Sequence, residues 1–369
     1  MRKLLGPLLL LLLAFAATGF GPVALIEGDE ARTPLFEYQL ELVQQTNRAP
    51  DYNAQAVSIL DGGTGKLMYG RNAHRRMAPA SLTKIVTAIV ALEKGRLGDV
   101  VKVKVNGYAM PGSSIMGIVP GEELTLEDLL YGLMLPSGND AALAIAQYIG
   151  GTEERFVEMM NEKVAELGLK NTHFVNPHGL DGDDHYSSPY DIAMLGRYGM
   201  RNPAFARMVG TVTYVTKGKT PHQLLNGNRL LGQYAGANGV KTGFTENSGQ
   251  SFVASVNRDG RAVFVGLIKS NDRLRDAKLL FEYFYENFRC LPLTLSANPF
   301  YKLQDDAGLW RDLAVDSNQY ECVARWEVPY VRNFVWLDSQ PAQGDAGKVG
   351  TGSFYYGDRT LAEMPAYVR

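Results

Sequence analysis

Cysteine and histidine are scarce in this chain. Two cysteines and five histidines occur in 369 residues, and their spacing matches no zinc pattern. No metal is therefore expected. His74, His173, His178, His185 and His222 read as capping, hydrogen-bonding or solvent-facing residues. Only His178, inside Asn176-Pro177-His178-Gly179-Leu180, stands out as structurally special. An excess of either charge is also missing: 37 Lys and Arg stand against 39 Asp and Glu, a net charge of −2. The basic residues are scattered and not interleaved with aromatics, which excludes a nucleic-acid footprint. The 39 glycines are spread through turns, and none clusters after a strand to cradle phosphate. No cofactor is expected.

Long apolar runs are confined to the N-terminus. Arg2 and Lys3 precede Leu8 to Phe15, and Ala14-Phe15-Ala16 offers a small-x-small cleavage site, so residues 1–26 read as an export signal. No charge appears from Leu4 to Ile26, about the length of a membrane span, so an uncleaved anchor is the alternative. Gly19, Gly21 and Pro22 weaken that second reading. Either way the rest of the chain faces outward, in a periplasm or at the outer face of the membrane. Residues 27–50 read as a linker and entry helix, with Phe36, Leu40 and Val43 at helical spacing.

Three short motifs follow in one order: Ser81-Leu82-Thr83-Lys84, Ser137-Gly138-Asn139 and Lys241-Thr242-Gly243. Each alone is weak. Ser81 opens an apolar-periodic run, Leu82, Ile85, Val86, Ile89 and Leu92, that stops at Gly95. It therefore sits at a helix N-terminus, with Lys84 one turn on. A serine hydroxyl needs a base. A lysine serves only if burial or another cation lowers its pKa. Ser137-Gly138-Asn139 lies between two helical patterns. The first opens at an expected Thr125 cap with Asp128 three residues on, and is interrupted by Pro136. Ser137 is placed to relay a proton and Asn139 to orient Lys84. Lys241-Thr242-Gly243 falls on or beside an edge of a cleft-lining strand, where a lysine and a hydroxyl suit a carboxylate. Gly243 admits close approach of a ligand backbone.

S-x-x-K, S-x-N and K-T-G in this order are the elements of one serine acyl-transfer site. The chain resembles the D-alanyl-D-alanine carboxypeptidases, the low-molecular-mass penicillin-binding proteins. Further matching stretches are Ala56 to Asp61 with Gly63-Thr64-Gly65, Pro111 to Ser114, Pro120-Gly121-Glu122, Asn176 to Leu180 and Asn226-Gly227-Asn228. The resemblance implies Ser81 as nucleophile, Lys84 as base, and Ser137 and Asn139 as the second motif. It implies Lys241 and Thr242 as carboxylate binders, and the backbone N–H groups of Ser81 and Phe244 as the oxyanion hole. It implies peptidoglycan stem peptides as substrate and β-lactams as inhibitors. A D,D-endopeptidase and a serine β-lactamase share these motifs. No Glu-x-x-Leu-Asn segment of the β-lactamase kind lies between Ser137 and Lys241, and Glu158 and Glu166 read as solvated helix positions. A non-catalytic wall-binding protein is the rival outside enzymes.

The expected architecture is a penicillin-binding/β-lactamase-like α/β (α+β) domain over residues 51–290. It has an antiparallel sheet flanked by helices, plus a helical lobe between about Gly121 and Pro203. A C-terminal all-β sandwich is expected over 291–369, with strands at Tyr320 to Trp326, Asn333 to Leu337 and Thr351 to Tyr356. Its late turn, Gln343 to Gly350, resembles that of the domain appended to many of these carboxypeptidases. The chain stops at Tyr367-Val368-Arg369, straight after an expected last strand, so a C-terminal membrane helix is not expected. Cys290 and Cys322 either form a bridge tying the two domains together or remain separate buried thiols.

Overall fold

The computed structural model describes residues 48–110, 112–295, 301–304, 308–315, 319–338 and 347–368. The expected export segment, nearly all of the entry segment, and Gln343 to Ala346 of the expected late turn lie outside the described residues. Among those residues, no helix is long and apolar enough to cross a membrane. The chain divides between Glu286 and Asn287 into two compact units.

In the first unit, β1 (Ala56–Asp61) and β2 (Leu67–Arg71) form a hairpin. A 3₁₀ turn, Ala80–Thr83, runs directly into α1 (Lys84–Lys94). β3 (Val100–Lys102) pairs with β4 (Glu123–Thr125). Three lobe helices follow: α2 (Leu126–Met134), α3 (Asn139–Gly150) and α4 (Glu153–Glu166). Thr125 and Asp128 form the expected capping box on α2, and Thr152 caps α4. α5 (Pro189–Gly199) starts at its Ser188 cap with proline in its first turn, where no backbone donor is lost.

Two features were not expected. α6 (Pro203–Gly210) has Asn202 as its cap, and Pro203, read as the end of the lobe, is its first residue. A three-residue hairpin, β5 (Thr213–Val215) with β6 (Gln223–Leu225), then lies between the lobe and the third motif. The chain returns to the sheet as β7 (Ala237–Thr245), β8 (Gly249–Arg258) and β9 (Arg261–Ser270), and α7 (Arg273–Asn287) closes the unit. The sheet is antiparallel, in the order β2-β1-β9-β8-β7. β7 is therefore an edge strand. The core joins the sheet to the lobe through Leu60, Leu82, Ile85, Leu129, Ile145 and Val253.

The second unit is all β. β10 (Phe288–Pro292) pairs with β13 (Tyr320–Ala324). A five-stranded sheet runs in the order β11-β12-β16-β15-β14. Its strands are β11 (Lys302–Gln304), β12 (Trp310–Val315), β14 (Val331–Leu337), β15 (Lys348–Tyr356) and β16 (Arg359–Val368). Cys290 and Cys322 face each other across β10 and β13 and are disulfide-bonded. The bridge thus closes a loop inside the all-β unit, not a tie between units. The sequence separation is 32, and closing such a loop stabilises by roughly 3–4 kcal/mol in the chain-entropy model. Reduction is expected to lower the unfolding midpoint of this unit alone. Thiol counting on denatured, unreduced protein is expected to find none, and two reactive thiols would contradict the bridge.

Candidate active site

The first two motif residues are set by one continuous turn. Ala80 has φ 49°, a left-handed conformation that costs a non-glycine residue about 1–3 kcal/mol. Such strain concentrates where the surrounding fold over-determines a functional turn. The 3₁₀ turn that Ala80 opens holds Ser81 half-exposed, while Lys84, first residue of α1, is fully buried. Lys84 Nζ lies 3.0 Å from Ser81 Oγ, 2.6 Å from Asn139 Oδ1 and 2.6 Å from the His178 carbonyl oxygen. Burial drives the Lys84 pKa well below its ordinary value, and the nearby Lys241 charge lowers it further, against a smaller opposing pull from Asp140. A neutral amine has two N–H donors and one lone pair. When the amine is neutral, the two acceptors at 2.6 Å take its donors and its lone pair is left for the Ser81 hydroxyl.

Asn139 reaches Lys84 because α3 begins at that residue. Its neighbour Asp140 is buried and accepts four backbone N–H bonds: Oδ1 from Met116 and Ala141, Oδ2 from Gly117 and Ile118. Asn139 N–H also donates to Ser114 O. Together they pin the Ser114–Ile118 segment along the cleft. Ser137 has φ 70°. Its Oγ is shielded from solvent and has no hydrogen-bond partner among the described residues. A shielded hydroxyl without a partner calls for an explanation, and Ser137 lines the cleft where a ligand would meet it.

The third motif occupies the exposed edge of the sheet. Side chains alternate along β7. Lys241 and Gly243 are buried, whereas Thr242 is half-exposed and Phe244 is 59% exposed. A Cβ on Gly243 would stand 3.3 Å from Ala80 Cβ, Leu82 Cγ and Pro79 O, so glycine lets the strand lie against the Ser81 turn. Lys241 sits beneath the cleft floor and donates to its neighbour's carbonyl, Thr242 O, at 2.9 Å. Burial, with Arg273 adding, lowers its pKa to about 7. Thr242 and Arg273 present side-chain donors to the cleft at this end, beside Thr245, whose hydroxyl donates to Asp181. Arg273 Nη1 donates to Gly243 O at 2.9 Å.

The cleft has a volume of about 440 Å³ and brings Ser81, Ser137, Asn139, Thr242, Gly243 and Phe244 to one surface. The eight residues singled out from the motifs therefore converge, with Lys84 and Lys241 just behind that surface. Spacing did not reveal Asp140 or Arg273. Asp140 follows the second motif without belonging to it, and Arg273 comes from the start of a distant helix. Gly179 belongs to the Asn176–Leu180 stretch. It has φ 93°, and a Cβ there would fall 2.0 Å from Ala80 O, so only glycine lets this loop carry the His178 carbonyl to Lys84.

A serine paired with a buried lysine of lowered pKa, in an open cleft beside a free sheet edge, is the arrangement of a serine acyl-transfer enzyme. The comparisons with known proteins make this specific. Residues 43–270 match the family described as D-alanyl-D-alanine carboxypeptidase, and the chain belongs to that family. It is a serine-type hydrolase, a D-alanyl-D-alanine carboxypeptidase. It is 36% identical over 305 residues to D-alanyl-D-alanine carboxypeptidase DacF of Bacillus subtilis, covering 79% of this chain and 73% of that protein. It is 30% identical to D-alanyl-D-alanine carboxypeptidase DacD of Escherichia coli, covering 89% of each. Among solved structures it resembles penicillin binding protein 5 of Haemophilus influenzae. That match has a TM-score of 0.71 and 25% identity, over 87% of this chain and 97% of that one.

Proposed function

We propose that the enzyme removes the terminal D-Ala of peptidoglycan stem peptides through an acyl-enzyme on Ser81, and that β-lactams acylate the same oxygen. The observation that carries this reading is the Lys84 amine, buried and 3.0 Å from Ser81 Oγ. Lys84 takes the Ser81 proton as Oγ attacks the penultimate carbonyl carbon. The developing oxyanion is received by the backbone N–H groups of Ser81 and Phe244. Ser137 relays the proton from Lys84 to the D-Ala nitrogen as the C–N bond breaks, and Asn139 holds Lys84 in place. Water then hydrolyses the ester. Incubation with a muramyl pentapeptide tests the reading: free D-Ala is expected by mass spectrometry, and release of longer fragments alone would favour endopeptidase action.

The terminal carboxylate belongs with Thr242 Oγ1 and Arg273, while the Lys241 charge acts from below. A charge-assisted hydrogen bond is worth roughly 1.5–3 kcal/mol, and about 1.4 kcal/mol is a factor of ten. Thr242→Val should therefore lose on the order of tenfold in kcat/KM. Amidating the terminal D-Ala should lose more, because it also removes the charge facing Arg273 and Lys241. Equal turnover of amidated and free peptides would refute carboxylate recognition.

The reading of residues 1–26 as an export signal supports a site of action outside the cytoplasm, at the cell wall. Membrane association rests on residues 1–26 remaining uncleaved. The apparent mass of purified native protein, compared with that of the full translation product, decides this.

A further inference from the structure

His185 belongs to none of the three motifs, yet it is 5% exposed and hydrogen-bonded at both ring nitrogens. The Val175 N–H donates to Nδ1 at 3.0 Å. Nε2 lies 2.9 Å from Thr83 Oγ1. A backbone amide only donates, so Nδ1 must be an acceptor. The proton of the neutral ring then sits on Nε2 and points to Thr83. The Thr83 hydroxyl donates in turn to Ala80 O at 2.9 Å. One chain of hydrogen bonds thus runs from Val175 through His185 and Thr83 to Ala80.

Its two ends matter. Ala80 is the left-handed residue just before Ser81. Val175 begins the loop whose His178 carbonyl accepts from Lys84. The same loop is held at its middle by Thr87 Oγ1, which donates to Pro177 O at 2.6 Å. Loss of the His185 link would therefore loosen one end of the loop without detaching it from α1. The ring is kept neutral: burial pushes its pKa down to about 4, with Asp181 opposing and His173 adding to the shift. His178, close by, is also held neutral, chiefly by burial.

We propose that His185 is a positioning residue for acylation, fixing the turn that carries Ser81 against the loop that orients Lys84. The inference rests on Ser81 and Lys84 being nucleophile and base. A misplacement of about 1 Å in reacting groups costs on the order of a hundredfold in rate. The ring touches no cleft surface, so binding should be spared.

The test uses the full chain and three variants, with melting temperatures measured beside the rate of labelling by a fluorescent penicillin and beside kcat and KM on a D-Ala-D-Ala peptide. His185→Phe fills the same space without hydrogen bonds. It should slow acylation and kcat by about tenfold to a hundredfold, with KM and melting temperature little changed. His185→Asn keeps an acceptor where Nδ1 stands and should recover part of the loss. Thr83→Val cuts the other half of the chain and should slow acylation similarly. A folded His185→Phe enzyme acylating at the wild-type rate overturns the proposal, as does an asparagine variant no faster than phenylalanine. If the phenylalanine variant does not fold, Thr83→Val carries the decision, and wild-type acylation by it sinks the idea. Absence of label on Ser81 of the wild-type protein would instead remove the underlying reading.

Discussion

Ser81→Ala should abolish labelling by penicillin and reduce D-Ala release by at least about a thousandfold, since removing the nucleophile of a serine hydrolase costs up to about 10⁶ in kcat. The fold should be untouched. Ser81 is half-exposed, and the hydrogen bond the structure assigns to its side chain is with Lys84. The variant keeps the Lys84 contacts to Asn139 and His178 and the carboxylate end of the cleft, so peptide binding should survive the loss of turnover. Tryptic mapping of the wild-type adduct completes the test. The neighbouring candidate is Ser137, whose shielded Oγ has no partner among the described residues. A penicilloyl group found there, or residual labelling of the alanine variant, would show the nucleophile misassigned.

What the sequence made legible was local. The Thr125–Asp128 capping box and the Gly95 stop each depend on residues within one turn, and each appears where its signal stood. The three motifs were readable because each holds its residues on one short element. What escaped depends on chain brought from elsewhere. Arg273 reaches Gly243 O from 30 residues away, and nothing near it in sequence marks it. The acceptor at His178 is a backbone carbonyl, which any residue type supplies; its signal was Gly179, needed for close approach to Ala80. β5 and β6 are too short, at three residues each, to show alternation.

The all-β unit was harder for a related reason. β16 carries Pro365, which argues against an interior strand, although β16 lies between β12 and β15. The conflict resolves in the register. Pairing with β12 runs only over Ala366 to Val368, while Pro365 sits opposite Thr351 of β15. The proline thus falls where β16 has a partner on one side only. The cysteines show the same limit: Cys290 seemed to close the helical unit because it follows α7, but backbone pairing puts it on β10, opposite Cys322.

Lys84→Arg should cut acylation by about 10²–10⁴, the range general-base catalysis supplies. Arginine keeps a cation at this position but has no lone pair at any accessible pH. Lys84→Met, a neutral chain of similar length, should be as inactive. Together the two variants separate loss of basicity from loss of charge. The pH profile of the wild-type enzyme makes the same argument from the other direction. Burial and Lys241 hold the Lys84 pKa well below its ordinary value. Below that folded-state pKa the amine is protonated and cannot accept the Ser81 proton, so kcat/KM must rise with pH through it. Burial and Arg273 lower the Lys241 pKa to about 7. As Lys241 loses its proton the positive charge under the carboxylate site disappears, so kcat/KM should fall again on the alkaline side. The two limbs belong to the coupled pair, not to either lysine alone. A bound carboxylate favours the charged form of Lys241, so the alkaline limb of kcat, measured at saturating peptide, should move upward from that of kcat/KM. Near-normal acylation by Lys84→Arg, or a wild-type profile that falls as pH rises from the acid side, would remove Lys84 as the base.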